Sequence, residues 1–191
     1  MVVWDDRGIV ISSRKHMDKY KIVDVFTIDH GRVSALVAIS SYGSFSVFSK
    51  VDVEYESKHQ NSIGFLKLQK ETTSLAFSTC SADHIFVCHK ICSLLSKSLP
   101  QMSPHRKLCG VVGYIADNIH KFSSNDVLTL YAYFEFSFIE DIGYGIDLNS
   151  QTCPKIWVTW KNFGFTPVVE KNEIERSLVL TNKIIKKYVL T

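Results

Sequence analysis

Residues 4–37 read WDDRGIVISSRKHMDKYKIVDVFTIDHGRVSALV and hold three strands in quick succession. Apolar residues recur at Ile9 and Ile11, from Ile22 to Ile28, and at Val33, Ala35, Val37 and Ile39. That is the period of two that puts side chains on one face of a sheet. Between the first two strands lies Arg14-Lys15-His16-Met17-Asp18-Lys19-Tyr20-Lys21, with four Lys or Arg against one acid. It is predicted to be a surface connection, because a buried one would strand its backbone polar groups. In Asp29-His30-Gly31-Arg32 the glycine sits where a tight turn needs positive φ, so Arg32 emerges at the start of the third strand. Strands this short and this close predict a small barrel.

Outward from this stretch, Ser44 to Tyr55 (SFSVFSKVDVEY) and Ile63 to Leu68 (IGFLKL) continue the strand pattern, and the serine-rich run Ser40 to Ser49 marks a loop or edge strand. Five strands without a helix long enough to cover an open sheet predict an OB-like barrel, the oligonucleotide-binding type. After Thr79 the period becomes helical. Asp83 to Leu99 places Cys88, Cys92, Leu95 and Leu99 on one stripe and stops at Pro100. Pro104 to Phe122 is the second helix, interrupted by glycines. A third begins with Ser124 as cap and Asp126 on the positive end of the dipole, ends at Gly143, and is aromatic enough to be buried all round. Cys153 to Pro167 reads as irregular or short strands, and Asn172 to Leu190 as a fourth helix. The expected fold class is α+β multidomain: a five-stranded OB-like barrel over 1–78, then an all-α domain over 79–191 with 149–168 irregular.

Of the 191 residues 46% are hydrophobic, which supplies ample core, yet no apolar run approaches the ~20 residues of a membrane span. The N-terminus lacks the basic-then-apolar layout of a signal peptide, and five cysteines without framework spacing fit a reducing compartment, so the expected location is the cytoplasm. The net charge of +3 conceals segments: 82–122 has five Lys and Arg against two acids, 123–150 none against five, and 151–191 seven against three. So modest a total excess says little about nucleic acid, and clustering must carry that case.

Several motifs together resemble the RecO family, bacterial DNA repair proteins that act as recombination mediators. They are the lead-in Trp4-Asp5-Asp6, the strand Gly8-Ile9-Val10, the strand start Ile22-Val23, and the turn Thr27-Ile28-Asp29-His30-Gly31-Arg32. Downstream, Tyr131-Ala132-Tyr133-Phe134-Glu135-Phe136 leads into Ile142-Gly143-Tyr144-Gly145-Ile146-Asp147-Leu148, and Leu178 to Leu190 is similar to the family's closing helix. The resemblance implies a non-enzymatic protein that binds single- and double-stranded DNA and anneals complementary strands. It further implies that the protein works with RecR to load RecA onto strands covered by single-stranded-DNA-binding protein.

The implied DNA-binding residues are Arg14, Lys15, Lys19, Tyr20, Lys21, Arg32 and Lys50: cations that release counterions from phosphates, and a tyrosine that either stacks a base or fills the barrel. Ala38 to Phe48, where the family carries a basic loop, has no charge, which shifts the load to the 14–21 connection. An acidic tail with an apolar tip, as on the single-stranded-DNA-binding protein, needs a hydrophobic groove beside cations, and Lys90, Leu94, Lys97, Arg106 and Lys107 offer one. Leucines on such a helix equally serve as core with a solvated rim.

Cys80, His84, Cys88, His89, Cys92 and Cys109 raise the question of zinc, but three ligands on one helical face make a poor tetrahedral set, and buried Cys behaves as a small hydrophobe. Zinc-binding family members carry a cysteine cluster after the Asp-Leu turn; here only Cys153 remains, followed by Trp157, Trp160 and Asn162, so no metal or other cofactor is expected. Nor does the chain show catalytic signatures. It has no C-x-x-C and no P-loop, Gly143-Tyr144-Gly145 lacks a third glycine, and Glu140 and Asp141 are adjacent and so on different helical faces. The alternatives are an RNA-binding OB module and a non-enzymatic protein-docking adaptor.

Overall fold

The computed structural model describes residues 1–42, 45–59, 63–70, 81–144, 146–148, 150–166 and 169–188. Five strands, β1 (Val2–His16), β2 (Tyr20–Thr27), β3 (Gly31–Ala38), β4 (Lys50–Ser57) and β5 (Gly64–Lys70), pair in the closed order β1-β2-β3-β5-β4. All pairings are antiparallel except β3 with β5. A short helix, α1 (Ile39–Tyr42), follows β3. Strand β1 serves two neighbours, its first half pairing with β4 and its second with β2. A bulge between Val10 and Ser12 lets one 15-residue strand bend around the ring.

The bulge also explains why Ile9, Val10 and Ile11 are all buried. Val10 joins Val23, Val25, Val33, Ala35, Val37, Val51, Val53, Tyr55, Leu66 and Leu68 inside the barrel, while Ile9 and Ile11 join Phe26 and Phe48 in a second core against the helices. The single apolar face read from period two is therefore two faces, and Ile39 belongs to neither strand nor core.

Two strand expectations are corrected. The basic connection 14–21 lies mostly within the ladder, with Arg14 opposite Ile22, Lys15 opposite Lys21 and His16 opposite Tyr20, leaving a three-residue turn at 17–19. Strand β4 starts at Lys50 rather than Ser44. Residues 46–49 turn instead, with the Ser49 N–H donating to the Ser46 carbonyl (3.2 Å) and the Ser46 N–H to Ser49 Oγ (3.2 Å), the local competition that serine offers a strand. Phe48, at φ +72°, swings into the helix-facing core.

The tight turn forms as read: Gly31 has φ +70°, and a Cβ there would lie 1.8 Å from the Ser103 carbonyl oxygen. The lead-in motif packs on this turn. Asp6 Oδ2 accepts from the N–H groups of Asp29 (2.9 Å) and His30 (3.2 Å) and meets His30 Nδ1 at 2.8 Å, while Trp4 stacks on His30 (3.8 Å) and Tyr55 (4.6 Å).

Five longer helices follow: α2 (Ala82–Ser98), α3 (Arg106–Asn118, extended by a 3-10 turn Ile119–Lys121), α4 (Ser124–Asp141), α5 (Lys155–Phe163) and α6 (Lys171–Tyr188). Helix α4 is capped one residue earlier than expected, by Ser123, whose Oγ accepts from the Asp126 N–H. It is the central helix. Leu130, Phe134 and Phe138 face α2, α3 and the barrel, whereas Ala132 and Phe136 face α5 and α6, hence its aromatics all round. Helix α5 corrects the irregular reading of 153–167: Ile156, Trp157 and Trp160 share one apolar stripe between Pro154 and Gly164, which ends the helix at φ +76°. The expected domain boundary at 78/79 lies outside the described residues.

Candidate nucleic-acid interface

Strand register sorts the outside of the barrel into two electrostatic faces. Around the first half of β1, β4 and the odd positions of β5, outward residues include Asp5, Asp52, Glu54 and Glu56, and a cleft of about 420 Å³ there is lined by Asp5, Asp6, Asp29, Asp52 and Glu54 beside Arg7. Burial raises the Asp6 carboxyl, but hydrogen bonds from His30, from the Asp29 and Arg7 N–H groups and from Thr27 more than offset that, holding it below its ordinary value. This face repels a polyanion.

The second half of β1 with β2, β3 and β5 is different. Pairing sets Ser12 opposite Asp24 and Asp24 opposite Ser34; one row on, Arg14, Ile22, Leu36 and Phe65 lie straight across four strands; beyond it are His16, Tyr20 and Ala38. At roughly 4.8 Å between strands, the second row spans about 15 Å. Asp24, the carboxylate within this face, is buried and accepts from both serines, Ser12 Oγ at 2.9 Å and Ser34 Oγ, so its charge is screened from the surface. Glu56, opposite Phe65, marks where the acidic face begins.

Of the residues expected to bind DNA, Arg14, Lys15, Lys19, Tyr20 and Lys21 come together in the β1–β2 hairpin. Arg14, Lys15 and Lys19 are exposed, Lys15 lying 3.8 Å from Asp18, and Lys21 is half-buried at the barrel end. Tyr20 is on the outer surface rather than in the barrel core, its ring edge-on to Phe65 at 5.8 Å and 61°. Arg32 and Lys50 are placed apart from the hairpin and engaged with the helices. Arg32 Nη1 donates to the Ser96 carbonyl near the end of α2, and Lys50 Nζ lies 3.1 and 3.2 Å from the two Asp117 oxygens on α3. Both tie the barrel to the helices.

Phe65 and Leu36, which the sequence reading does not name, belong to this face together with Ile22, which it names only as the start of a strand. The signal existed: in Gly64–Lys70 the alternation that turns Leu66 and Leu68 inward turns Phe65 outward.

The expected peptide residues fall on two surfaces. Leu94 is core, as are Leu95 and Leu99; Lys90 stands 5.2 Å over the Phe86 ring on the exposed side of α2, with Lys97 further along the helix. Arg106 and Lys107 line a separate groove of about 910 Å³ with Leu108, Tyr133, Glu140 and Lys161. Within it Lys161 pairs with Glu140, and His105 Nδ1 meets Asp141 Oδ2 at 2.5 Å, while Arg106 Nε reaches out to Asp29 at 2.8 Å.

His84, Cys88, Cys92 and Cys109 have structural roles. His84 stands at the third position of α2 and completes a capping box with Ser81: its Nδ1 accepts from the Ser81 N–H (3.2 Å) and its Nε2 donates to the Phe122 carbonyl (2.9 Å). Cys88, Cys92 and Cys109 are buried; burial pushes the Cys92 thiol up, and raises Cys109 to about 12 with the Asp6 and Asp29 charges adding to it. Among the described residues no three His, Cys, Asp or Glu are grouped to hold a metal, and Cys80 is not among them. No described helix is long and apolar enough to cross a membrane.

Residues 1–73 match the family model described as Recombination protein O N terminal. The chain is 26% identical over 161 residues to a DNA repair protein RecO of Ruegeria sp. (strain TM1040), covering 82% of this chain and 65% of that protein. It is 27% identical over 150 residues to one of Wolbachia pipientis wMel, covering 76% and 61%, and 25% identical over 150 residues to one of Sinorhizobium medicae (strain WSM419), covering 76% and 59%. The chain thus spans about three fifths of the length of the curated relatives it matches. The barrel that residues 1–73 build is thus similar to the N-terminal part of the recombination protein O family, and the similarity to DNA repair proteins RecO runs on into the helices.

Proposed function

We propose that the protein is a DNA-binding mediator of recombinational repair in the cytoplasm, without an active site of its own. It binds single- and double-stranded DNA, anneals complementary strands, and with RecR helps load RecA onto strands coated by single-stranded-DNA-binding protein. The observation that carries this reading is the outer face of β1, β2, β3 and β5, which the described helices leave open, with the basic hairpin at its border and Asp5, Asp52, Glu54 and Glu56 on another side. Annealing needs no bond-making chemistry: cations screen two phosphate backbones while base pairing supplies specificity. The acidic tail of the single-stranded-DNA-binding protein would dock at Arg106 and Lys107, whose groove combines cations with Leu108 and Tyr133. No zinc is required, since His84 and the buried cysteines are used by the fold.

The test is an anisotropy titration of the full chain with a labelled single strand, a matched RNA and a duplex at several salt concentrations. Replacing Arg14, Lys15, Lys19 and Lys21 by Gln is expected to weaken DNA binding equally across sequences and to flatten the salt dependence by roughly 0.7 per lost contact on a single strand. Unchanged affinity and slope would exclude the hairpin as the DNA site, and a preference for the RNA would favour an RNA-binding module.

A further inference from the structure

One stripe of α3 is left unfilled where the helix crosses the barrel. Arg106, Gly110, Gly113 and Asp117 follow one another at helical spacing, so they share a face. At its two ends that face is tied to the barrel: Arg106 Nε lies 2.8 Å from Asp29 Oδ1, and Lys50 Nζ lies 3.1 Å from Asp117 Oδ1. Between the ties the two glycines leave a cleft of about 220 Å³. Strand alternation turns Arg7 and Ile9 to the same side of β1, and the pairing of Ile9 with Lys50 brings β4 alongside, so the barrel supplies the opposite wall. The floor is apolar: Ile9 and Cys109 are buried, and Ile28 packs on the same core.

Neither turn geometry nor packing calls for these glycines. Both have ordinary helical φ, and a Cβ added at Gly110 or Gly113 would meet nothing beyond its own helix within 4 Å. Alanine would make the helix more stable, and a larger side chain would cover Ile9 and Cys109. What glycine provides here is an open, flat wall. The charge at the rim is unequal. Arg106 and Lys50 are committed to Asp29 and Asp117, and Asp6 to His30 and the N–H groups of residues 29 and 30. Among the described residues exposed Arg7 has no ion pair, so the uncompensated charge is a guanidinium. Its fork fits a carboxylate or a phosphate, and its plane stacks on a ring. We infer that the cleft binds a small aromatic anion, one flat ring system carrying a single carboxylate or phosphate. A volume below the roughly 300 Å³ at which drug-sized sites begin limits the ligand to a ring or two. The ring lies on Ile9 and Cys109 against the bare backbone of α3, and Arg7 takes the charge. This site stands apart from the DNA-binding reading, since it uses neither the hairpin nor the outer face of the sheet.

Isothermal titration of the full chain tests this with two ring anions, indole-3-acetate and deoxythymidine monophosphate. Indole, thymidine and inorganic phosphate serve beside them, carrying the ring or the charge alone. At least one ring anion is expected to bind one to one, and at least about tenfold more tightly than its parts. Binding of the indole acid alone assigns the site to a carboxylate, binding of the nucleotide alone assigns it to a phosphate, and binding of both rests on the chemistry they share; each outcome supports the inference. Gly113→Leu fills the cleft with a strong helix former, so it should raise the thermal midpoint and abolish this binding, a combination that a merely structural glycine does not give. Arg7→Gln should leave the midpoint unchanged and remove the advantage of the ring anion over the neutral ring. Absence of binding by both ring anions at millimolar concentration overturns the inference, as does undiminished binding by Gly113→Leu. A lowered midpoint in that variant also overturns it, by showing that the fold itself requires the glycine.

Discussion

Glu135 shows how one residue can hold two helices while weakening the fold at neutral pH. It is 1% exposed on α4, accepts from Thr181 on α6, and bonds Tyr131 one turn back. Burial pushes its carboxyl above the ordinary 4.5, against the pull of the Thr181 and Tyr131 hydrogen bonds and the Lys90 charge. The folded chain thus binds the Glu135 proton more tightly than the unfolded chain. Its contribution to stability is complete below 4.5 and declines as pH rises from there through the higher folded value. Glu135→Gln keeps acceptor and shape without the charge, so it should hold or raise stability at neutral pH and flatten the pH dependence in that window. Glu135→Ala takes the buried partner from Tyr131 and leaves Thr181 only the Leu178 carbonyl, and should cost about 1–3 kcal/mol. Urea denaturation of both variants at several pH values checks this; parallel pH profiles for wild type and Glu135→Gln would refute it.

At the scale of elements, closing the barrel depends on β5 approaching two strands at once. Gly64 stands where β5 meets β3, and a Cβ added there would lie 2.5 Å from the Tyr55 ring, which is buried and held by Trp4 stacked 4.6 Å from it. That ring cannot swing aside without breaking the stack. Gly64→Ala is expected to cost about 1–3 kcal/mol, the range for overpacking, although glycine-to-alanine in an unstrained strand would stabilise. Denaturation midpoints measure it, and a gain in stability would mean that Tyr55 moves freely. The misread elements have the same character as this one. Helix α5 reads as irregular in the sequence because Pro154 and Gly164 bracket it closely, and its stripe of Ile156, Trp157 and Trp160 acquires meaning only once α4 and α6 supply the other walls. Strand β4 reads too long in the sequence because Phe45, Val47 and Phe48 are apolar, but apolarity at 45–49 serves two different cores.

Across the whole molecule, one core joins Ile9, Ile11, Phe26 and Phe48 of the barrel to Ile91, Leu95, Leu108, Val112, Leu130 and Phe134 of the helices. Three polar ties reinforce it: Arg32 to Ser96, Lys50 to Asp117 and Arg106 to Asp29. Unfolding either half alone would expose the other's share of this core, so the chain is expected to unfold in one cooperative transition. Trp4 in the barrel and Trp157 in the helices report on opposite halves. Single-tryptophan variants carrying one or the other should give coincident urea curves; separated midpoints would show two independent units.

The sequence by itself determined the barrel, because period-two alternation at β1, β2, β3 and β5 and a glycine turn at 29–32 are local signals that need no partner to be read. It also determined α2, α4 and α6, and it brought the hairpin cations to notice, since Arg14 to Lys21 are neighbours in the chain. Tertiary structure alone decided which face each residue of Ile9-Val10-Ile11 serves, that Arg32 and Lys50 brace the helices, and that Tyr20 meets Phe65. Those outcomes depend on a bulge, on ring closure and on register between strands distant in the chain. A contact across β2, β3 and β5 is fixed by hydrogen-bonded pairing, and no spacing along the chain encodes it.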